Sequence, residues 1–279
     1  MENFEYPNSL TAPLNLVFVR HGQSEANVLI SHNLNGDESL FNEQTMTVPD
    51  RDWRLTDLGR EQAKLSGQWI TDNLPDFDRF IVSPYVRTRE TAAHLNLDKV
   101  NWEENRTVRE RSWGEIDSIP FSEFKSRYPH NFLLKEKDPL YWRPPAGESI
   151  AQVSETRVRN LLRNLYREST NQNVLIVSHG EFIQSSRLVL ESWSDEDFIE
   201  RSRDRKTAVK NCEIIHYSRV NPETQEISDR VQWVRRVWPE NGKITVGEWK
   251  FFEKITLTNQ DLLDRVEGFK KIFPTNLTS

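Results

Sequence analysis

Leu14-Asn15-Leu16-Val17-Phe18-Val19-Arg20-His21-Gly22 is the stretch on which the fold turns. A short apolar run ends directly at two cationic or titratable side chains and a glycine. That pattern suits a buried strand delivering polar residues at its carboxyl end. It recurs twice: Phe80-Ile81-Val82 runs into Ser83-Pro84, and Asn173-Val174-Leu175-Ile176-Val177 runs into Ser178-His179-Gly180. Helical patterns lie between. Leu58, Leu65 and Trp69 fall on one side of the first, with Thr56 or Asp57 as its N-cap. The second spans Val86–Leu95. The third opens with the capping-box pattern Ser149 and Gln152 and carries Ile150, Val153, Leu161 and Leu165 along one face. Strands alternating with helices predict an α/β chain, a three-layer α/β/α arrangement around a mostly parallel central sheet. In such sheets ligands bind beyond the carboxyl ends of the strands, where these segments put their polar residues.

Further out, the texture changes after about Ser192. Cys212-Glu213-Ile214-Ile215-His216-Tyr217 and Arg230–Trp238 read as paired strands about the turn-like segment 221–225, and Asn241-Gly242 predicts a second turn. Leu262, Val266 and Phe269 recur at helical spacing between Thr258 and Phe273, which predicts a closing amphipathic helix docked on the body. Phe121–Tyr141 is aromatic and charged without clear periodicity. Residues 115–146 therefore read as an insertion between sheet elements, able to serve as a lid. No repeat or low-complexity linker divides the chain. Residues 1–279 are expected to form one domain, with 218–279 as C-terminal strand and helix additions packed on it.

Composition bounds the function. With 36% hydrophobic and 29% charged residues the chain is folded rather than disordered. No apolar stretch approaches the roughly 20 residues needed to span a bilayer, and the acidic opening segment 1–10 lacks an apolar signal core, so a cytoplasmic protein is expected. A net charge of -6 opposes broad attraction to nucleic acid or to anionic membranes. The basic stretch Arg201–Lys206 is interrupted by Asp204 and reads as a solvated face. The single cysteine, Cys212, cannot form an internal disulfide and reads as a buried strand thiol. Neither His-Glu-x-x-His nor clustered His/Asp ligand spacing occurs, so no metal and no cofactor is expected.

An anionic substrate must therefore be captured locally. After Arg20-His21-Gly22, Ser24 and Asn27 fall at a helix start, where hydroxyl, amide and backbone N–H groups converge on an anion. His179, with Gly180 beside it, sits beyond a second strand, and Arg87 follows a third strand end. A phosphoryl group in transfer carries charge on three equatorial oxygens, and arginine forks bind such oxygens while remaining cationic. Arg20 and Arg87 suit that clamp. Neighbouring positive charge keeps His21 unprotonated and nucleophilic, and His179 is placed to donate hydrogen bonds. The departing alkoxide needs a proton, for which Glu110, in the charge-crowded Arg109-Glu110-Arg111-Ser112-Trp113-Gly114, is the candidate acid. A surface ion-pair stretch is the alternative reading of that segment.

Arg20-His21-Gly22-Gln23-Ser24-Glu25-Ala26-Asn27 resembles the opening motif of the histidine phosphatase superfamily, which includes cofactor-dependent phosphoglycerate mutases. Four further segments agree in order: Ser83-Pro84-Tyr85-Val86-Arg87-Thr88-Arg89-Glu90-Thr91-Ala92, Glu110-Arg111 with Trp113-Gly114, Gly147-Glu148-Ser149, and Ser178-His179-Gly180. The resemblance covers about residues 14 to 217. It implies a phosphoglycerate mutase-like fold, a phosphohistidine on His21, a phosphate pocket of Arg20, Arg87 and His179 with Gly180 alongside, Ser24 and Asn27 near the substrate, and Glu110 as proton donor. Glu148 reads as structural, since a carboxylate before a helix favours its N-terminus without touching substrate. Ser83 and Thr91 read as packing or capping groups, and His32, His94, His130 and His216 match no catalytic position.

Two departures bear on the activity. After Trp113-Gly114 the family often has a second glycine, where this chain reads Glu115-Ile116-Asp117-Ser118-Ile119-Pro120. The adjacent arginines with which mutases hold a substrate carboxylate are not evident in Lys137–Pro145, while Tyr141–Ser149 is similar to phosphatase-type members. The expectation is a metal-independent phosphomonoester hydrolase. A mutase-like phosphotransferase and a catalytically inactive phosphate-binding module are the alternatives. A small phosphorylated metabolite is the expected substrate, with a phosphoprotein as second choice, and oligomeric state is open.

Overall fold

The computed structural model describes residues 12–270 and residue 272. Eight strands form one sheet: β1 Asn15–Arg20, β2 Arg79–Val82, β3 Trp102–Glu104, β4 Asn173–Ser178, β5 Ile214–Ser218, β6 Trp233–Glu240, β7 Lys243–Val246 and β8 Lys250–Phe251. Their order is β3-β2-β4-β1-β5-β6-β7, with β8 also beside β6. The half from β3 to β1 is parallel, and β5, β6 and β7 add antiparallel pairs. β1 therefore lies mid-sheet, pairing Phe18 with Ile176 on one edge and with Ile215 on the other.

Successive strand residues point to opposite faces, so each face of β1 seeds its own core. Leu16 and Phe18 pack with Ile176, Ile215, Leu165 and Phe182 on one side. Val17 and Val19 pack with Val177, Ile214, Trp69 and Ile70 on the other. The main helices are α1 Glu25–Leu34, α2 Asp57–Asn73, α3 Val86–His94, α4 Phe121–Arg127, α5 Pro129–Lys137, α6 (Ile150–Gln152, the π-helical Val153–Val158, then Arg159–Glu168), α7 Gly180–Leu190, α8 Asp195–Arg203 and α9 Asn259–Glu267, of which α2 and α3 cover one face and α6 and α7 the other. The result is the predicted α/β/α architecture with a mostly parallel sheet, and Ile150, Val153, Leu161 and Leu165 are all buried as expected. Ser149 accepts from the backbone N–H of Gln152 at 3.0 Å, the N-cap the sequence predicts.

Three expectations need correction. Leu58 is exposed, and α2 instead buries Gly59, Ala63, Ser66, Gly67 and Ile70. Backbone proximity decides that face, because a Cβ on Gly67 would lie 1.9 Å from the Leu95 carbonyl oxygen. Cys212 is buried but precedes the strand, in a left-handed turn with φ +53°. The second turn forms where expected: after Asn241-Gly242, β7 runs to Val246 and β8 then pairs with β6 as well. Asn241 and Gly242 both take positive φ, as a two-residue hairpin turn requires. Finally, every residue of α9 is exposed, Leu262 and Val266 included, as is Phe269 just beyond it, so its helical form rests on its Thr258 capping box rather than on docking. Phe273, the expected end of that helix, lies outside the described residues.

The 115–146 segment builds a small aromatic centre of its own, with Ile116, Phe124 and Trp142 buried and Trp113 and Phe132 against them. The Lys135 ammonium sits over the Trp113 ring at 4.9 Å. Among the described residues, no helix is long and apolar enough to cross a membrane.

Candidate active site

His21 leaves the end of β1 still held by the sheet, its N–H donating to the Ser178 carbonyl at 2.9 Å. Its Nδ1 lies 2.7 Å from the Gly22 carbonyl oxygen. A carbonyl only accepts, so Nδ1 carries the proton and Nε2 keeps its lone pair. Arg87 Nε donates to that Nε2 at 3.3 Å. Gly22 allows this turn, because a Cβ there would sit 2.3 Å from the Gly59 carbonyl oxygen.

His179 follows β4, and its ring centroid lies 5.3 Å from that of His21. Its Nε2 pairs with Ser83 Oγ at 2.8 Å, while its buried Nδ1 has no protein partner. Burial holds both imidazoles well below the ordinary histidine range, and the Arg87 guanidinium adds to the effect. Arg20 donates to the Val209 carbonyl at 2.6 Å, and its buried Nε is likewise unpartnered. Gly180 gives that side chain room, since a Cβ would approach Arg20 Nε to 3.2 Å. A buried donor without an acceptor, as Arg20 Nε is, carries a cost of about 1–3 kcal/mol, which an anion can relieve.

Arg87, in the first turn of α3, is steadied by Asp50, whose Oδ1 lies 3.0 Å from Nη2. Ser24 and Asn27 cap α1 reciprocally, Ser24 Oγ accepting from the Asn27 N–H and Asn27 Oδ1 from the Ser24 N–H. Glu110 accepts from the N–H groups of Arg111 and Phe182 through Oε1, at 2.9 and 3.2 Å. Burial, reinforced by the nearby Glu181 carboxylate, pushes Glu110 up to about 7. All eight candidate residues belong to one region: Arg20, His21, Ser24, Asn27, Arg87, Glu110 and Gly180 line a cavity of about 480 Å³, and His179 packs edge-on against His21. Neutral imidazoles, fixed guanidinium groups and a carboxyl that titrates near neutrality form a set able to hold and transfer a phosphoryl group.

A sequence profile of the histidine phosphatase superfamily (branch 1) matches residues 16–228. The chain belongs to that family. Its relatives are phosphatases and mutases. It is 30% identical to phosphoglycerate mutase-like protein AT74 of Arabidopsis thaliana, over 67% of this chain and 60% of the relative. It is 33% identical to an acid phosphatase of Mycobacterium tuberculosis, over 53% of this chain and 68% of the relative. The match to human 6-phosphofructo-2-kinase/fructose-2,6-bisphosphatase 4 spans only 32% of that protein, at 28% identity over 62% of this chain. Among solved structures, the alpha-ribazole phosphatase of Shigella flexneri superposes with a TM-score of 0.58 at 20% identity, covering 77% of this chain and 96% of the other, a likeness of fold.

Glu148 braces the wall rather than entering the cavity. It binds Arg109 at 3.1 Å, Arg157 at 3.0 Å and the Ser112 N–H at 2.9 Å. Thr91 accepts from the Gly22 N–H, and His216 is a core residue bonded to Asn15. Sequence reasoning missed Asp50, Asp117, Glu181 and Lys135 as cavity residues. Glu181 pairs with Arg111 at 2.7 Å, and Arg111 stacks on Trp113 at 4.3 Å. Glu181 follows Gly180 directly, the one signal that could have marked it. Asp50 comes from a polar loop without periodicity, which offers none.

Proposed function

We propose that this member of the histidine phosphatase superfamily hydrolyses phosphomonoesters through a phosphohistidine on His21, without a metal. His21 Nε2 attacks phosphorus, the P–O bond to the alcohol breaks, and the Glu110 carboxyl gives its proton to the departing oxygen. Water then attacks the phosphoenzyme, Glu110 takes the proton, and the P–N bond breaks to release inorganic phosphate. Arg20, Arg87 and His179 hold the equatorial oxygens throughout, and the hydroxyl and amide of Ser24 and Asn27 border the ester. The observation that carries this reading is the proton locked on His21 Nδ1, which leaves Nε2 as a lone pair beside Arg87.

The cavity's volume suits a small phosphorylated metabolite better than a folded phosphoprotein. Mutase relatives keep transfer to a second alcohol as the competing outcome. Rapid quench with a radiolabelled phosphate ester, in the presence of chelator, tests the proposal. Wild type is expected to accumulate acid-labile, base-stable protein-bound phosphate and to release phosphate to water, and His21→Ala to do neither. Turnover by His21→Ala within about tenfold of wild type refutes the nucleophile assignment.

A further inference from the structure

Ala26, Ile30, Asp50, Trp113 and Asp117 line two spaces at once: the reaction cavity and a second cavity of about 140 Å³ beside it. The rest of the second wall is mainly apolar, with Leu29, Phe41, Trp53, Ile116, Phe121 and Phe124 contributing. Two of its polar groups are already engaged: the Thr45 hydroxyl donates to the Leu40 carbonyl at 2.7 Å, and Asn33 Oδ1 accepts from the Phe121 N–H at 3.3 Å. A hollow with such a lining favours hydrocarbon over water, and an engineered cavity of about 150 Å³ lined by Leu, Ile and Phe takes up benzene. At the shared rim stand two carboxylates. Asp50 is committed to Arg87, and Asp117 faces it closely enough that burial, together with the Asp50 charge, pushes Asp117 up to about 7. Above about pH 7, where Asp117 is ionised as well, a second anion on the substrate meets repulsion at this rim, whereas an uncharged group passes it.

We propose that this side cavity receives the apolar end of the substrate's alcohol, so that the preferred phosphomonoester carries one aromatic ring, or a branched alkyl group of that size, and no second anionic group near the ester. The inference deepens the phosphomonoesterase reading and rests on it. Position and size carry it: the hollow shares a wall with the cavity holding His21, and its volume matches a single ring.

The test compares ethyl, phenethyl and 2-carboxyethyl phosphate, whose alcohols are of similar acidity. In the wild-type protein kcat/KM for phenethyl phosphate is expected to exceed that for ethyl phosphate by about tenfold or more, the worth of burying a ring. 2-Carboxyethyl phosphate is expected to fall below phenethyl phosphate. Ser118→Phe, which fills the hollow from a residue lining it alone, is expected to bring the phenethyl to ethyl ratio down at least threefold. A wild-type ratio below about three, or 2-carboxyethyl phosphate at or above phenethyl phosphate, overturns the inference while hydrolysis itself stands. The wild-type ratio decides this even if Ser118→Phe does not fold. Absence of turnover with all three esters strikes instead at the phosphomonoesterase reading.

Discussion

Replacing Glu110 by Gln is expected to remove activity on alkyl phosphates and, at alkaline pH, to stabilise the protein. Burial and the Glu181 charge raise Glu110 from 4.5 to about 7 in the folded chain. Below pH 4.5 the carboxyl is protonated in both folded and unfolded chains, and the site carries no charge penalty. Between 4.5 and 7 the unfolded chain loses its proton first, so stability falls as pH rises, and above 7 the loss is complete. At about 1.4 kcal/mol per pH unit, the full penalty is about 3 kcal/mol. Gln is isosteric, stays neutral and can still accept from the N–H groups of Arg111 and Phe182. Urea unfolding should therefore give equal stability for the two proteins at pH 4.5 and an advantage of about 3 kcal/mol to Glu110→Gln at pH 8.5, a Tm rise of about 6 °C or more. An identical difference at both pH values, or a variant less stable at pH 8.5, refutes the assignment of a charge-strained carboxyl.

Three more outcomes follow from the geometry. Arg87→Lys keeps the charge but loses the fork that spans His21 and Asp50, and is expected to lower kcat/KM about 100-fold; a loss under about threefold in steady-state assays contradicts the clamp. Glu148→Ala strands Arg109 and Arg157 without their shared carboxylate and should cost about 3 kcal/mol in urea unfolding, with less than about 1 kcal/mol showing that Glu148 is no brace. Gly67→Ala forces α2 off the Leu95 carbonyl and should destabilise by about 2 kcal/mol or more; an unchanged Tm means that the two helices do not pack so closely.

Strands β1, β2 and β4 and the residues of the candidate pocket were legible because each of these strands is a short apolar run closed by polar residues or glycine, whereas β3, Trp102-Glu103-Glu104, has no such run and was missed. Such runs mark both a buried strand and the place where its side chains emerge. Leu16 to His21 and Val174 to His179 announce themselves in this way, although nothing local says that β1 and β4 are neighbours. The antiparallel half was legible as strands but not in its arrangement, because pairing register is a property of two distant segments. Hydrophobic spacing misplaced Leu58, since the face of α2 is decided by how near glycine lets two backbones come. The same spacing pointed to docking for α9, whose apolar residues remain exposed. Rim residues such as Asp50 and Asp117 acquire their importance from each other across a distance that sequence does not display.

β1 leaves the ribosome more than 150 residues ahead of both strands that flank it, Asn173–Ser178 and Ile214–Ser218. At ribosomal speeds of about 5–20 residues per second, its apolar Leu-Val-Phe-Val waits unpaired for roughly ten to thirty seconds. The nascent chain thus offers a sticky strand to chaperones or to other nascent chains throughout that interval. His21 becomes part of its cavity only after β4 and β5 have closed around β1, so the candidate site takes shape late.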